Sequence, residues 1–588
     1  MNRFAIAPAL LVALTAAAPA PKQPNIVILL ADDWGFTDVG SYGGEISTPN
    51  LDALAAKGVR FSNFHVAGSC SPTRAMLQTG VSSHRAGLGN MPETIPAAHR
   101  GKSGYDAELN DRVVTIADQL RAAGYRTYLT GKWHLGKDPA KLPTARGYDR
   151  AFALAASGAD NFENKPNLLL YDKADWTEDG KPAALPKNFY SSRFIVDKMI
   201  QYLDQGSASG KPFLASLNFI ANHIPVQAPD ADIARYAGRY QSGWTALRTE
   251  RRAGAIAKGV MPAGMAMVTM PSTGNWDALP AADRAARAGA MAAYGGMAQA
   301  MDREVGRLIS HLKAKGQFDN TVFVFLSDNG GEALDPQSSR FNAAVADYYY
   351  DLDPKQQGRP GSFTAIGVSF ASAVSAPLRG YKFTASEGGL RVPLIVSWPG
   401  NGRIAQGQIA SGFAHVTDLA PTLLGLAGVA AHQGRFQGRA VEPMRGFSLE
   451  PMLTGTATTV HPEDRPLGYE LSGNAVLFKG NYKLVKNLPP YGDASWRLYD
   501  IMTDPGETRD LAQVEPARFA AMQADYAAFA KRDGVLPMPK GYTAPKQVEI
   551  NAKETRLWPK LRMLGAMVAA ALVLITALIM LRRRRRGA

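Results

Sequence analysis

The sequence predicts an α/β protein: a large mixed, mostly parallel sheet flanked by helices, then a smaller C-terminal antiparallel sheet with a helix. Three observations carry this. Residues 25–31 and 321–326 are unbroken apolar runs rich in β-branched residues, as in strands buried on both faces. Helical stretches alternate with such runs, the pattern of a layered α/β core. From residue 466 to 500 the pattern changes to short alternating strands, with turns at Lys479-Gly480-Asn481 and Pro489-Pro490-Tyr491-Gly492-Asp493.

The elements follow in order. Strand 25–31 runs directly into Asp32-Asp33-Trp34-Gly35. Thr48-Pro49 opens a helix that Gly58 ends. Pro72 suits the first turn of another helix and Gly80 its end, with Ala75, Met76, Leu77 and Gln78 between them. Val113, Ile116, Ala117 and Leu120 share a helix face closed by Gly124. Residues 126–130 form a short strand leading into Gly131-Lys132-Trp133-His134-Leu135-Gly136. Lys211-Pro212 precedes strand 213–220. Val305, Leu308, Ile309 and Leu312 mark a helix that stops at Gly316. Strand 321–326 ends at Ser327-Asp328-Asn329-Gly330, and 390–398 is one more strand. Residues 228–281, rich in Arg and Ala, read as an insertion. Residues 332–377 lack periodicity and read as a long loop carrying Tyr348-Tyr349-Tyr350. These two segments are expected to build the rim of a pocket. A helix at 516–531 completes the C-terminal subdomain.

Length and composition describe an ordinary globular protein with a large core: 588 residues, 46% hydrophobic and 20% charged. The net charge is +14, and the terminal run Arg582 to Arg586 supplies five of those charges. Basic residues are not interleaved with aromatics in a stripe, so a nucleic-acid partner is not expected. Residues 1–20 resemble a secretory signal peptide: Arg3, an apolar stretch, then small residues. Residues 563–581 are 19 residues without a charge. At about 1.5 Å per residue they nearly span a hydrocarbon core, and the arginines behind them should stay cytoplasmic. The expected organisation is therefore a signal peptide (1–20), a catalytic α/β domain (21–455) and an antiparallel-sheet subdomain (456–540). A polar linker (541–560), a transmembrane helix (563–581) and a basic cytoplasmic tail (582–588) follow. That places the body in a bacterial periplasm, anchored to the inner membrane. A cleaved C-terminal sorting signal fits the same pattern.

The chain has one cysteine, so an intrachain disulfide framework is impossible. Cys70 lies in Cys70-Ser71-Pro72-Thr73-Arg74, at a helix start where backbone N–H groups favour an anion, with Arg74 adding a fixed charge. Asp32 and Asp33 follow one buried strand, and Asp328 and Asn329 follow another. Ligands of open α/β sheets bind at strand carboxyl ends. Four oxygen donors without His suit a hard cation. Lys132 and His134 alternate around Trp133, His223 follows strand 213–220, and Lys382 stands in Pro377-Leu378-Arg379-Gly380-Tyr381-Lys382.

These motifs, in this order, resemble the sulfatase family over residues 24–531, with bacterial arylsulfatases the most similar. The resemblance implies hydrolysis of sulfate monoesters, with aryl sulfates as assay substrates and an aryl, alkyl or carbohydrate ester in nature. It implies that a formylglycine-generating enzyme converts Cys70 to Cα-formylglycine, whose hydrate is the nucleophile. It implies one divalent cation, Ca²⁺ rather than Mg²⁺, held by Asp32, Asp33, Cys70, Asp328 and Asn329. Arg74 and Lys132 would hold the modified residue 70 and the metal-bound oxygens. Lys382 and His223 would contact the sulfate, with His223 giving a proton to the leaving alcohol. His134 would take the proton whose removal expels sulfate from residue 70. Ser157 matches a variable family position. A phosphonate monoester hydrolase or phosphodiesterase of the same superfamily is the alternative. Those enzymes tend to have His where this chain has Asn329.

Overall fold

The computed structural model describes residues 23–167, 171–335 and 339–587. The expected signal peptide therefore lies outside the described residues. The strands run β1 (Asn25–Ala31), β2 (Gly58–Phe61), β3 (Phe64–His65), β4 (Arg126–Lys132), β5 (Arg150–Leu154), β6 (Trp176–Glu178), β7 (Lys181–Pro182) and β8 (Phe213–Asn218). Next come β9 (Thr321–Ser327), β10 (Leu394–Ser397), β11 (Gln408–Ala410) and β12 (Ala414–His415). Ten of them form one sheet in the order β11-β2-β10-β9-β1-β8-β4-β5-β6-β7. Its centre, β9-β1-β8-β4-β5, is parallel throughout. β10 runs antiparallel to β9 and β2, which makes the sheet mixed.

β1 shows why an unbroken apolar run was needed. Val27, Leu29 and Ala31 enter the hydrophobic cluster on one face of the sheet. Ile26, Ile28 and Leu30 enter the cluster on the other face. Alternate side chains point to opposite faces of a strand, so a strand covered on both sides must be apolar at every position. β4 carries a different constraint. A Cβ on Gly131 would lie 1.9 Å from the Asn218 carbonyl oxygen of β8, and its φ is +102°. Only glycine fits there.

The C-terminal subdomain is a four-stranded antiparallel meander, Leu467–Leu471, Asn474–Lys479, Tyr482–Lys486 and Trp496–Asp500. The helix Pro516–Asp533 packs on it through Met522, against Leu477, Leu484 and Leu498.

Three segments differ from the sequence reading. The strand expected over 390–398 is shorter, because Glu387–Leu390 is a helical turn and β10 begins at Leu394. The expected long loop contains the helices Arg340–Tyr349 and Gly367–Val374. The expected polar linker is helical: Ala544–Ala552, then a π-helical turn Lys553–Leu557, then Trp558–Arg586. Thr543 caps this rod by accepting from the Lys546 N–H. Ala544, Gln547, Asn551 and Ala552 are buried against the body. Residues 544–586 make one 43-residue helix whose apolar part is exposed and, by length and composition, able to cross a membrane.

Candidate active site

The carboxyl ends of four neighbouring parallel strands meet at one place. β1 delivers Asp32 and Asp33, β9 delivers Asp328 and Asn329, and β4 ends on Lys132. The segment after β8 carries His223. Cys70 is the first residue of the helix Cys70–Thr79, which ends at Gly80 with φ +66°. Every one of these side chains is buried.

Ion pairs organise the cluster. Lys132 Nζ donates to Asp32 Oδ2 at 2.6 Å. Arg74 Nε donates to Asp328 Oδ2 at 2.9 Å, and its Nη1 to the Lys132 carbonyl at 2.8 Å. Lys382 Nζ lies 2.7 Å from Asp33 and 2.8 Å from Glu332. The Cys70 thiol lies 3.4 Å from Asp32 Oδ1. Donor atoms of Asp32, Asp33, Cys70 and Asp328 all fall within 4.8 Å of one another. Asn329 Nδ2 donates to Asp33 Oδ1 at 2.6 Å, while its buried Oδ1 lacks a hydrogen-bond partner. Converging carboxylates beside an unpaired amide oxygen are the donor set of a hard cation, so these residues fit one.

Burial and proximity set the protonation states. Burial and Asp328 push Asp32 up to about 7, against Lys132. Burial acts on Asp33 as well, but Lys382 and His223 outweigh it and hold Asp33 down to about 2. Burial, reinforced by Asp328, raises Cys70 far above the ordinary thiol range, so the group stays a thiol. Burial and Lys382 lower His223 well below the ordinary imidazole value. Its Nδ1 donates to the Ile224 carbonyl at 2.7 Å, and Nε2 is 3.9 Å from Asp33.

Two backbone outliers sit here. Asp33 has φ +64° and His134 φ +56°. Non-glycine residues in the left-handed region cost energy and concentrate at functional sites. His134 Nε2 is 3.1 Å from Glu93 Oε1, and Tyr171 also hydrogen-bonds Glu93. His134 Nδ1 is buried without a partner.

Residues 24–429 match the family model for sulfatases. The chain belongs to the sulfatase family. Residues 382–525 of this sulfatase also match the model described as N-sulphoglucosamine sulphohydrolase, C-terminal. It is 36% identical to an uncharacterized sulfatase of Schizosaccharomyces pombe, over 89% of this chain and 96% of the relative. It is 35% identical to the arylsulfatase of Klebsiella aerogenes, over 76% and 96% of the two chains. The crystal structure of Ps i-CgsB in complex with k-i-k-neocarrahexaose superposes with a TM-score of 0.63 at 22% identity, covering 91% and 98%. BT4656 in complex with D-glucosamine-2-N,6-O-disulfate gives 0.57 at 20% identity, covering 87% and 98%. These two share the fold. The family match and the named relatives make the sulfatase a sulfuric ester hydrolase, and the substrate bond it breaks is a sulfate ester.

The residues read from the sequence, from Asp32 to Lys382, gather here, with His134 paired to Glu93. Ser157 lines the adjoining cavity beside His223. The rim differs from expectation in its tyrosines. Tyr350 is buried and donates to the Pro166 carbonyl, and Tyr348 is 81% exposed. Tyr381 and Tyr491 line the cavity instead. The sequence reading missed Glu93, Tyr171 and Glu332. Glu332 stands three residues past Asn329, a signal that was available. Glu93 is far from His134 in sequence and carried none.

Proposed function

We propose that this sulfatase cleaves its ester through residue 70 after conversion of Cys70 to Cα-formylglycine, with one Ca²⁺ held by Asp32, Asp33, Asp328, Asn329 and residue 70. The observation that carries the reading is the single cysteine, buried among converging carboxylates where burial favours the thiol form. A thiol held in that form is a poor nucleophile. The formyl group, once hydrated, supplies an oxygen nucleophile at the same position. A bound Ca²⁺ would supply positive charge that eases the approach of a nucleophile to an anion.

The remaining roles belong to the chain's own side chains. Arg74 and Lys132 neutralise Asp328 and Asp32 beside residue 70, where their charge would steady the modified side chain. Lys382 and His223 both line the cavity in which the ester would sit. The bond from Nδ1 to the Ile224 carbonyl fixes the His223 ring and leaves Nε2 as the exchanging position. The ring lines the cavity, and a proton carried on Nε2 would pass to the departing alkoxide. Glu93 orients His134, whose free Nδ1 is the position that would accept a proton from residue 70. On the same reading the catalytic body lies in the periplasm, exported by residues 1–20, with residues 563–581 in the inner membrane, residues 582–588 cytoplasmic and the domain limits near 455, 540 and 560.

Peptide mapping of active enzyme tests the chemistry. The tryptic peptide holding residue 70 should be lighter than its thiol form by about 18 Da, a change outside the ordinary oxidation ladder. Cys70→Ala should lose activity by at least about 10⁴-fold while keeping the fold. Full activity in a chain whose residue 70 is an unmodified thiol would end this reading.

A further inference from the structure

The chemistry above leaves the alcohol half of the ester undefined, and the structure has a place for it. A cavity of about 400 Å³ opens beside His223 and Lys382. Ile224, Leu334, Val368 and Tyr491 line it from the catalytic body and the C-terminal subdomain. The facing wall comes from elsewhere: Ala544, Pro545 and Val548 of the helix Ala544–Ala552.

That helix is fastened to the site. Asn551 Nδ2 donates to the carbonyls of Glu93 (2.9 Å) and Ile95 (3.1 Å), and Gln547 Nε2 donates to Asn551 Oδ1 (2.9 Å). Tyr542, just ahead of it, donates to the Thr94 carbonyl at 2.8 Å. The same rod continues into the exposed apolar helix that begins at Trp558. Val548 is fifteen residues before Met563, where the uncharged stretch begins, about 22 Å along a helix. A lipid surface around the apolar helix would lie within reach of the cavity.

Charge narrows the occupant further. Among the described lining residues Lys382 is the one Lys or Arg, and it is committed to Asp33 and Glu332. Glu93, Glu332 and Asp335 line the same cavity. These acids are paired with His134, Lys382 and Arg287. A polyanionic sugar chain would therefore meet no uncommitted Lys or Arg among the described lining residues, whereas an uncharged apolar group meets a surface that gains by desolvation.

We propose that this cavity binds the alcohol half of an amphiphilic sulfate ester, an uncharged apolar alcohol drawn from a lipid surface, and that helix Ala544–Ala552 is its specificity-determining wall. The proposal rests on the sulfatase reading of the adjoining site. The test uses the full chain in phosphatidylcholine vesicles, with phenyl sulfate, decyl sulfate and glucose 6-sulfate. kcat/KM for decyl sulfate should exceed that for glucose 6-sulfate by at least about tenfold. Val548→Asp should lower the decyl-to-phenyl preference by about tenfold or more, chiefly through KM. Val548→Ala, which adds no charge, should lower it by about threefold. Equal losses on all three esters, or a preference for glucose 6-sulfate, would overturn the proposal. Binding to the Cys70→Ala chain separates the two claims. If no ester is turned over but this chain still binds decyl sulfate ahead of glucose 6-sulfate, the mechanism falls and the subsite stands. If esters are cleaved and glucose 6-sulfate binds more tightly, the subsite falls alone.

Discussion

Two of the buried charge clusters among the described residues are built from the same residue types to opposite ends. At the sheet's carboxyl edge, Asp32, Asp33 and Asp328 crowd together while Arg74, Lys132 and Lys382 hold them from outside. At the seam between the catalytic body and the C-terminal sheet, Lys483 bridges Glu387 and Glu507 at 2.8 Å each. His65 and Arg391 complete the seam around Glu387, at 3.0 and 3.4 Å. In the first cluster like charges face each other, and burial and Asp328 raise Asp32 to about 7. In the second, cations surround Glu387: although burial opposes it, His65 and Lys483 lower Glu387, while burial, with Glu387 nearby, raises Glu507 against Lys483. Burial of charge alone therefore does not mark an active site. Carboxylates facing one another, with an unpartnered Asn329 oxygen beside them, do.

The largest contrast should come from neutralising one acid in each cluster. Asp32→Asn should cost on the order of 10⁴-fold in kcat/KM, about 5.5 kcal/mol of transition-state stabilisation. Measured in EGTA, its denaturation midpoint should fall less than that of a seam variant, because relief of the repulsion from Asp328 and Asp33 offsets the partner lost by Lys132. A midpoint drop as large as that of a seam variant would erase the distinction. Glu387→Gln should do the reverse. It leaves Lys483 and Arg391 short of a buried partner, which typically costs about 3–5 kcal/mol in denaturant unfolding. Steady-state rates per folded molecule should remain within about twofold.

Metal removal acts on the first cluster alone. Chelation with EGTA should abolish activity, restored by Ca²⁺. It should also lower unfolding stability by about 2.7 kcal/mol relative to protein at a hundredfold excess of Ca²⁺ over its Kd. Activity that survives chelation would remove the cation from the proposal. The smallest effect is in pH. Glu387 ionises below its ordinary value of 4.5, so its contribution is whole above that pH. The contribution is lost as pH falls below 4.5 through the lowered folded pKa. Glu387→Gln should therefore flatten the acid limb of a stability–pH curve by about 1–2 kcal/mol. An unchanged limb would mean that the seam does not hold Glu387 ionised.

What the sequence disclosed followed from local rules. β1 and β9 announced themselves because both faces of each are covered, which forces an apolar residue at every step. The helix at Cys70 was legible from Pro72 and Gly80, and the donor pairs from their place after buried strands. What stayed hidden depends on pairing across long distances. Glu93 reaches His134 from 41 residues away. Lys483 reaches Glu387 from 96 residues away. The helix Ala544–Ala552 looked like a linker because its apolar residues are few. Ala544, Val548 and Ala552 do recur every fourth residue, a one-sided stripe that could have been noticed.

The bond from Asn551 to the Glu93 carbonyl also sets a boundary for anyone who wishes to handle this enzyme in water. A chain cut at residue 540 would look like a tidy soluble domain by composition, yet it would lack one wall of its own cavity and a brace beneath the Glu93–His134 pair. A cut after Leu557 keeps both and removes only the exposed apolar rod.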